Sequence, residues 1–287
     1  MIQIAVIFGP TASGKSRLAV ETALARGGEI ISVDSRQIYR ELSIGTGKIS
    51  STEMQWIRHF GLDLVSITES YSARDFAVYA RSMIADIKSR GKLPILCGGT
   101  GLYMDSVLYD LEVPPFQSDP ELQSELETYR LLHGNLALWE RFAKLDPEYA
   151  CEIHPNSYPY VMRGIEVFVR TGKSKKAFRS IRTSHYEIEY ISSPTISREE
   201  LYSRINERVL QMFESGWINE VQVLLENGYS ETAPGWNSIG YREIIEHLHG
   251  DLDYAELVSK VQQLTRNYAK RQITWERRST KNEFPIV

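Results

Sequence analysis

Within eight residues, Gly9-Pro10-Thr11-Ala12-Ser13-Gly14-Lys15-Ser16, the chain collects the groups needed to hold a row of phosphates. The spacing G-x-x-x-x-G-K-[ST] is that of a phosphate-cradling loop. Glycines at 9 and 14 allow backbone conformations that side chains forbid, so amide N–H groups can converge on an anion. A helix opening after Gly14 adds its positive N-terminal end. Lys15 brings a mobile charge, and Ser16 a hydroxyl suited to a Mg²⁺ shared with the same phosphates. Such a cradle senses phosphate oxygens and is blind to what hangs from them. On this stretch alone ATP and any other diphosphate ester remain open.

Three further positions could carry chemistry. The apolar run Glu29–Val33 ends at Asp34-Ser35-Arg36-Gln37, and in open α/β sheets ligands gather at the carboxyl ends of strands. Asp34 is therefore expected beside the phosphate loop. The run Leu93–Cys97 ends at Gly98-Gly99-Thr100-Gly101, which offers backbone and the Thr100 hydroxyl but no carboxylate. Many P-loop ATPases and GTPases hold their metal with an acid near the phosphate loop, so this ending argues against a motor or switch. Arg204 and Arg208 lie four apart and share one face of a helix predicted over 198–215.

The elements that must position these groups read as α/β. Ile4–Phe8 suits a strand buried on both faces, and Arg17–Leu24 has apolar residues at helical spacing. A short strand is predicted over 62–67. Ser72 caps a helix over 73–89, and another buried strand precedes the 98–101 loop. This is βαβ repetition around a parallel sheet, a P-loop NTPase-like core. From Glu112 the pattern changes. Pro114-Pro115 breaks the chain, Asp119-Pro120 opens a helix to Leu132, and His133-Gly134 ends it. Helices over 135–145, 147–153 and 158–170 follow, with no strand-like run until Tyr186–Ile191. The expected organisation is a catalytic core of residues 1–111 and 188–287 with a helical insertion domain at 112–187, followed by C-terminal helices. The last of these, over 253–278, has an apolar seam of Leu257, Val258, Val261, Leu264 and Tyr268; Tyr268 and Trp275 read as core. Between Lys260 and Lys281 it carries seven cations against one acid.

Composition narrows the partners. The 287 residues are 42% hydrophobic and 24% charged, as in ordinary globular proteins, and the net charge of −4 places any nucleic-acid surface locally. Two cysteines, Cys97 and Cys151, make neither a disulfide framework nor a zinc cluster and fit a reducing cytosol. No apolar run approaches the ~18 residues of a membrane span, and Met1-Ile2-Gln3 already reads as strand, so the expectation is a cytoplasmic protein with no membrane contact.

Together these stretches resemble the tRNA dimethylallyltransferases (tRNA isopentenyltransferases), in the bacterial form. The resemblance rests on GPTASGKS at 9–16, ISVDSRQIYR at 31–40, YSARDF and RGKLPILCGGTGLY within 71–103, Ile153–Asn156 with Arg163, IGYRE at 239–243 and TRNYAKRQITWER at 265–277. The chain departs from the family's usual His-His-Leu-Ile-Asp run with His59-Phe60-Gly61-Leu62-Asp63, and from its usual Gln-Arg-x-x-Arg segment with Pro159–Arg163. The resemblance implies that Gly9–Ser16 hold dimethylallyl diphosphate, with Mg²⁺ at Ser16, and that the acceptor is N6 of adenosine 37 in the tRNA anticodon stem-loop. Asp34 would be the general base and Arg208 the arginine on the departing diphosphate. Thr11 and Thr100 would orient the reactants. Ser35, Arg36 and Gln37, with Asp34 and Thr100, would read the flipped base. Arg163, Tyr241, Arg242, Arg266 and Lys270 are expected to contact the RNA, with the enzyme acting as a monomer. The competing expectation, strongest on the first forty residues, is an ATP-dependent small-metabolite kinase of P-loop type, with Asp34 activating a hydroxyl.

Overall fold

Strand β1 (Ile2–Phe8) leads through the phosphate loop into α1 (Lys15–Arg26), then β2 (Gly28–Val33), α2 (Ser51–Met54) and β3 (His59–Phe60). Next come α3 (Ala73–Ser89), β4 (Leu93–Gly98) and α4 (Gly101–Leu108). Helices α5 (Pro120–Leu145), α6 (Pro147–Ala150) and α7 (Tyr158–Thr171) precede β5 (Tyr186–Tyr190). The chain closes with α8 (Arg198–Glu214), α9 (Trp217–Glu226), α10 (Tyr241–His249) and α11 (Tyr254–Thr280). This computed structural model describes residues 1–109, 119–178, 184–192 and 196–280. The Pro114-Pro115 break, the boundary at Glu112, and Lys281 lie outside the described residues.

The sheet runs β3-β2-β4-β1-β5 with every pairing parallel. Ile4, Ala5, Val6 and Ile7 are wholly buried, which is why β1 is a continuous apolar run rather than an alternating one. The β1-α1-β2 and β3-α3-β4 crossovers travel in opposite directions across the sheet. Right-handed connections therefore place α1 and α3 on opposite faces. Ala19, Val20 and Ala23 of α1 pack on Ala5, Ile7, Ile30 and Ile95. On α3 the buried stripe is Phe76, Ala80, Ile84 and Ile87, and a capping box of Ser72 and Asp75 starts the helix.

The described residues form two compact units. One contains Met1–Leu108 and the described residues between 184 and 280, and so holds the whole sheet; the other is the described part of Tyr109–Thr183. The second is helical. Gly134, at φ 85 and ψ 168, breaks α5 into two helical runs. They pack with α6 and α7 around Leu126, Leu138, Phe142 and Ile165. At its centre the fully buried Glu166 accepts bonds from the Asp119 amide and Gln123 Nε2 and pairs with Arg163.

Two elements differ from expectation. The strand predicted over 62–67 does not form: Gly61 and Asp63 sit at φ 81 and 56, turning the chain, and only Val65 bridges back, to Tyr39. The pairing strand is His59–Phe60 instead. Helix α4 follows Gly99-Thr100 without a spacer. Tyr103, Met104, Val107 and Leu108 are all buried, so the segment lacks the one-sided pattern that marks a helix.

Candidate functional site

A cavity of about 540 Å³ opens at the carboxyl ends of β1, β2 and β4. Thr11, Lys15 and Ser16 line it from the phosphate loop. In that loop Gly14 caps α1 at φ 86, and Ala12 is the second left-handed residue, at φ 61. Gly9 is not left-handed; its amide bonds Gly98 O at 3.4 Å, tying the loop to the end of β4. The Ser13 amide and Lys15 Nζ both donate to Pro10 O, at 3.3 and 3.2 Å. Burial pushes the Lys15 ammonium below its ordinary value, and the Arg208 charge adds to this against the opposing influence of Cys97 and Asp34. Burial thus disfavours the charged form of Lys15, and an anion beside it would favour that form.

Arg208 reaches the same cavity from α8. Its Nη2 contacts Gly47 O at 3.4 Å, while its Nε is enclosed with no partner among the described residues. Burial lowers its pKa too. Two cationic side chains without a carboxylate partner among the described residues thus line one cavity. Arg204, one turn earlier, is exposed and closed on Glu200 at 2.6 Å.

Asp34 also lines the cavity. Its Oδ1 accepts the amides of Arg36 (2.8 Å) and Gln37 (3.3 Å), and no described residue bonds its Oδ2. The residue both shapes the turn and keeps an oxygen for a ligand. The Ser35 amide donates to Thr100 Oγ1 at 3.1 Å, so the Asp34 turn and the 98–101 loop are joined. Arg36 lines the cavity, whereas the Gln37 amide is fully engaged by Ser32, Thr46 O and Gly47 O.

The α11 residues were not foreseen as part of this site. Thr265, Tyr268, Gln272 and Trp275, at intervals of three and four, present one helical face to the cavity, with Arg271 beside them. Tyr268 OH stands 3.5 Å from Thr100 Oγ1, and burial pushes its pKa up to about 12. The interval was visible in the sequence, but a stripe facing a cavity has the same period as one facing a core.

Other expected RNA contacts are placed elsewhere. Tyr241 is a correction: it is completely buried against Trp217 and Trp236, and its hydroxyl donates to Glu220 at 2.7 Å, so it offers RNA no surface. Arg163 belongs to the helical unit and braces buried Glu166. Arg266 bridges to Asn206 and Gln263, at 2.5 and 2.8 Å. Arg242 and Lys270 are exposed.

A phosphate cradle at the carboxyl edge of a parallel sheet, facing a single half-free carboxylate, defines an α/β protein of P-loop type built to handle a phosphate ester. Comparison with known proteins narrows this. Residues 37–279 match the family described as IPP transferase. The tRNA dimethylallyltransferase of Thermoanaerobacter sp. (strain X514) is 40% identical over 278 residues, covering 96% of this chain and 88% of that protein. That of Acetivibrio thermocellus is 41% identical over 282 residues, 97% and 90% of the two chains. The full-length tRNA isopentenylpyrophosphate transferase of Bacillus halodurans superposes with a TM-score of 0.70 at 36% identity, covering 96% of this chain and 87% of that one. A eukaryotic dimethylallyltransferase acting on tRNA gives 0.78 at 29% identity, over 96% and 70%. The chain belongs to the tRNA dimethylallyltransferase family and is an enzyme.

Proposed function

We infer that this enzyme transfers a dimethylallyl group from dimethylallyl diphosphate to N6 of adenosine 37 in tRNA, releasing diphosphate. The observation that carries this reading is the shared cavity: Lys15, Arg208 and Asp34 all line it, and among the described residues Arg208 Nε and Asp34 Oδ2 have no hydrogen-bond partner. As the allylic C1–O bond breaks, negative charge grows on the leaving diphosphate. Lys15, Arg208 and the loop amides receive it without reorganising, because they are already desolvated. The nitrogen that attacks C1 must lose a proton, and Asp34 Oδ2 is the acceptor. Thr11 and Thr100 orient the two reactants. Adenine N6 stacked in an RNA loop lies out of reach of such a cavity, so the base enters flipped, with Ser35, Arg36 and Tyr268 at its edge.

Ser16 is exposed at the start of α1 and lines the cavity. Its hydroxyl, together with phosphate oxygens and water, fits Mg²⁺, which takes few ligands from protein. When bound, the ion neutralises phosphate charge. The Tyr109–Thr183 unit and the exposed Arg242 and Lys270 are the remaining candidates for gripping the anticodon stem-loop. No helix among the described residues is long and apolar enough to cross a membrane, and the proposed setting is the cytoplasm, with the enzyme monomeric.

The test is incubation of the protein with labelled dimethylallyl diphosphate and, separately, unmodified tRNA and AMP. Label on adenosine 37 of tRNA and none on AMP is expected. Phosphorylated metabolite from ATP, with no labelled RNA, overturns the reading in favour of a kinase.

A further inference from the structure

The buried side chain of Gln272, 4% exposed, hydrogen-bonds to both the phosphate loop and the 98–101 loop. Its Oε1 accepts the Thr11 amide at 2.8 Å, and its Nε2 donates to Gly99 O at 2.9 Å. Thr11 opens the cavity-lining part of the phosphate loop, and Gly99 precedes Thr100, whose hydroxyl accepts the Ser35 amide beside Asp34. A continuous path therefore runs from the phosphate cradle, through Gln272 and the 99–100 loop, to the turn that presents the carboxylate. The fit is close. A Cβ on Gly99 would collide with the Gln272 amide, and one on Gly101 with the Trp275 ring. The ring of Trp275 in turn lies against Phe8, tilted by 40° with 4.0 Å between centroids, and its Nε1 donates to Asp105.

A planar carboxamide supplies one acceptor and one donor at this spacing, and so does a protonated carboxyl group. An ionised glutamate would face Gly99 O with a second acceptor, and a leucine would leave both an N–H and a C=O unpaired in a buried place. Position 272 is thus chemically selective in a way that packing alone does not require.

We propose that Gln272 is a positioning residue that holds the phosphate loop and the Asp34–Thr100 side of the cavity in register, so that diphosphate and acceptor are presented to each other by helix α11. This deepens the transferase reading of the same cavity and rests on it for the identity of the acceptor. Its test, however, needs only inorganic diphosphate.

Gln272→Leu keeps the volume and removes both bonds. Binding of inorganic diphosphate, followed by calorimetry, is expected to weaken on the order of tenfold, as follows from stranding a buried donor and acceptor. The KM for dimethylallyl diphosphate should rise and kcat fall, with the affinity for tRNA in the absence of diphosphate unchanged. Diphosphate affinity and turnover equal to the wild type in a folded Gln272→Leu protein overturn the proposal. Gln272→Glu gives a signature that a packing role would not produce. Its carboxyl mimics the amide only when protonated, and burial favours that form. Its diphosphate affinity, divided by that of the wild type at the same pH, should recover as pH falls from about 8 to about 5.5. A ratio flat with pH overturns the proposal even where Gln272→Leu does not fold. A wild-type protein that fails to prenylate tRNA while these shifts occur sinks the acceptor assignment and leaves the role of Gln272 standing.

Discussion

Charged side chains in this protein come in two kinds, and the cavity differs from the rest of the fold in which kind it uses. Glu166 at the centre of the helical unit has partners on both oxygens, and Glu220 likewise accepts Ser43 and Ile44 amides on Oε2 and Tyr241 on Oε1. Arg204 and Arg266 are closed on neighbouring side chains. In the cavity, by contrast, among the described residues Arg208 keeps a buried N–H without a partner and Asp34 an oxygen without one, and Lys15 has only a carbonyl. Completed charges fix structure. Incomplete ones are held at a cost in stability, and they become complete only when a ligand of the right charge arrives. A motif finds Lys15, but the state of its bonds separates Arg208 from Arg204 on the same helix.

The largest effect expected from this contrast is at the carboxylate. Asp34→Asn keeps an oxygen for the Arg36 and Gln37 amides, so the turn should survive, but the amide cannot take a proton. Turnover with labelled dimethylallyl diphosphate and tRNA should fall about 10²–10⁴-fold, the usual range for a lost general base. RNA affinity, measured by filter binding, should be near that of the wild type. A loss of RNA binding equal to the loss of rate would make Asp34 a contact and not a base.

The two arginines give the next test. Arg208→Ala should lower kcat at least about tenfold, as for the removal of one donor to a developing anion. Arg204→Ala removes an exposed i,i+4 pair with Glu200, worth about 0.3–0.5 kcal/mol, and should leave kcat alone. Equal effects from the two variants would abolish the distinction between complete and incomplete charges on α8.

How far the sequence reaches can be judged from the same residues. The phosphate loop, the Ser72 cap and the break at Gly134 are written in local spacing, and the sequence places them within a residue or two. Asp34 was found because strand ends in α/β sheets collect ligands. Gln272 and Tyr268 were not found as site residues, since a helix face toward a cavity and one toward a core repeat identically. The strand at His59–Phe60 was missed because left-handed residues at 61 and 63 are a property of backbone angles that an Asp does not advertise. Tyr241 was assigned to RNA because its neighbours resemble a family motif; its burial and its long-range bond to Glu220 are invisible along the chain.

Tyr241→Phe sharpens that last point. The variant strands Glu220 Oε1 while Oε2 still holds the 43–44 amides. Folding stability should drop by about 1–3 kcal/mol, read from chemical denaturation. Affinity of the folded protein for tRNA should be unchanged. Unaltered stability with weakened RNA binding would return Tyr241 to the interface.

The smallest expected effect is also the most direct measure of an incomplete charge. Burial depresses the Lys15 pKa from 10.5 in the empty site, so the folded, empty protein binds the Lys15 proton less tightly than the unfolded chain does. The contribution of Lys15 to stability is thus fully present only above the unfolded value and is lost as pH falls through the depressed folded one. Below that depressed value, then, the charged lysine opposes folding until an anion compensates it. Diphosphate reverses the imbalance by favouring the ammonium, so the complex binds more protons at this site than the empty protein. Affinity must therefore decline as pH rises from the depressed value of the empty site toward the value in the complex. Calorimetry in buffers of different ionisation enthalpy should detect proton uptake by the protein on binding, after the titration of diphosphate itself is subtracted. Lys15→Met should bind more weakly and lose that uptake. If the uptake persisted in Lys15→Met, the incomplete charge at this end of the cavity would belong to another group, and the contrast with the paired arginines would have to be drawn without Lys15.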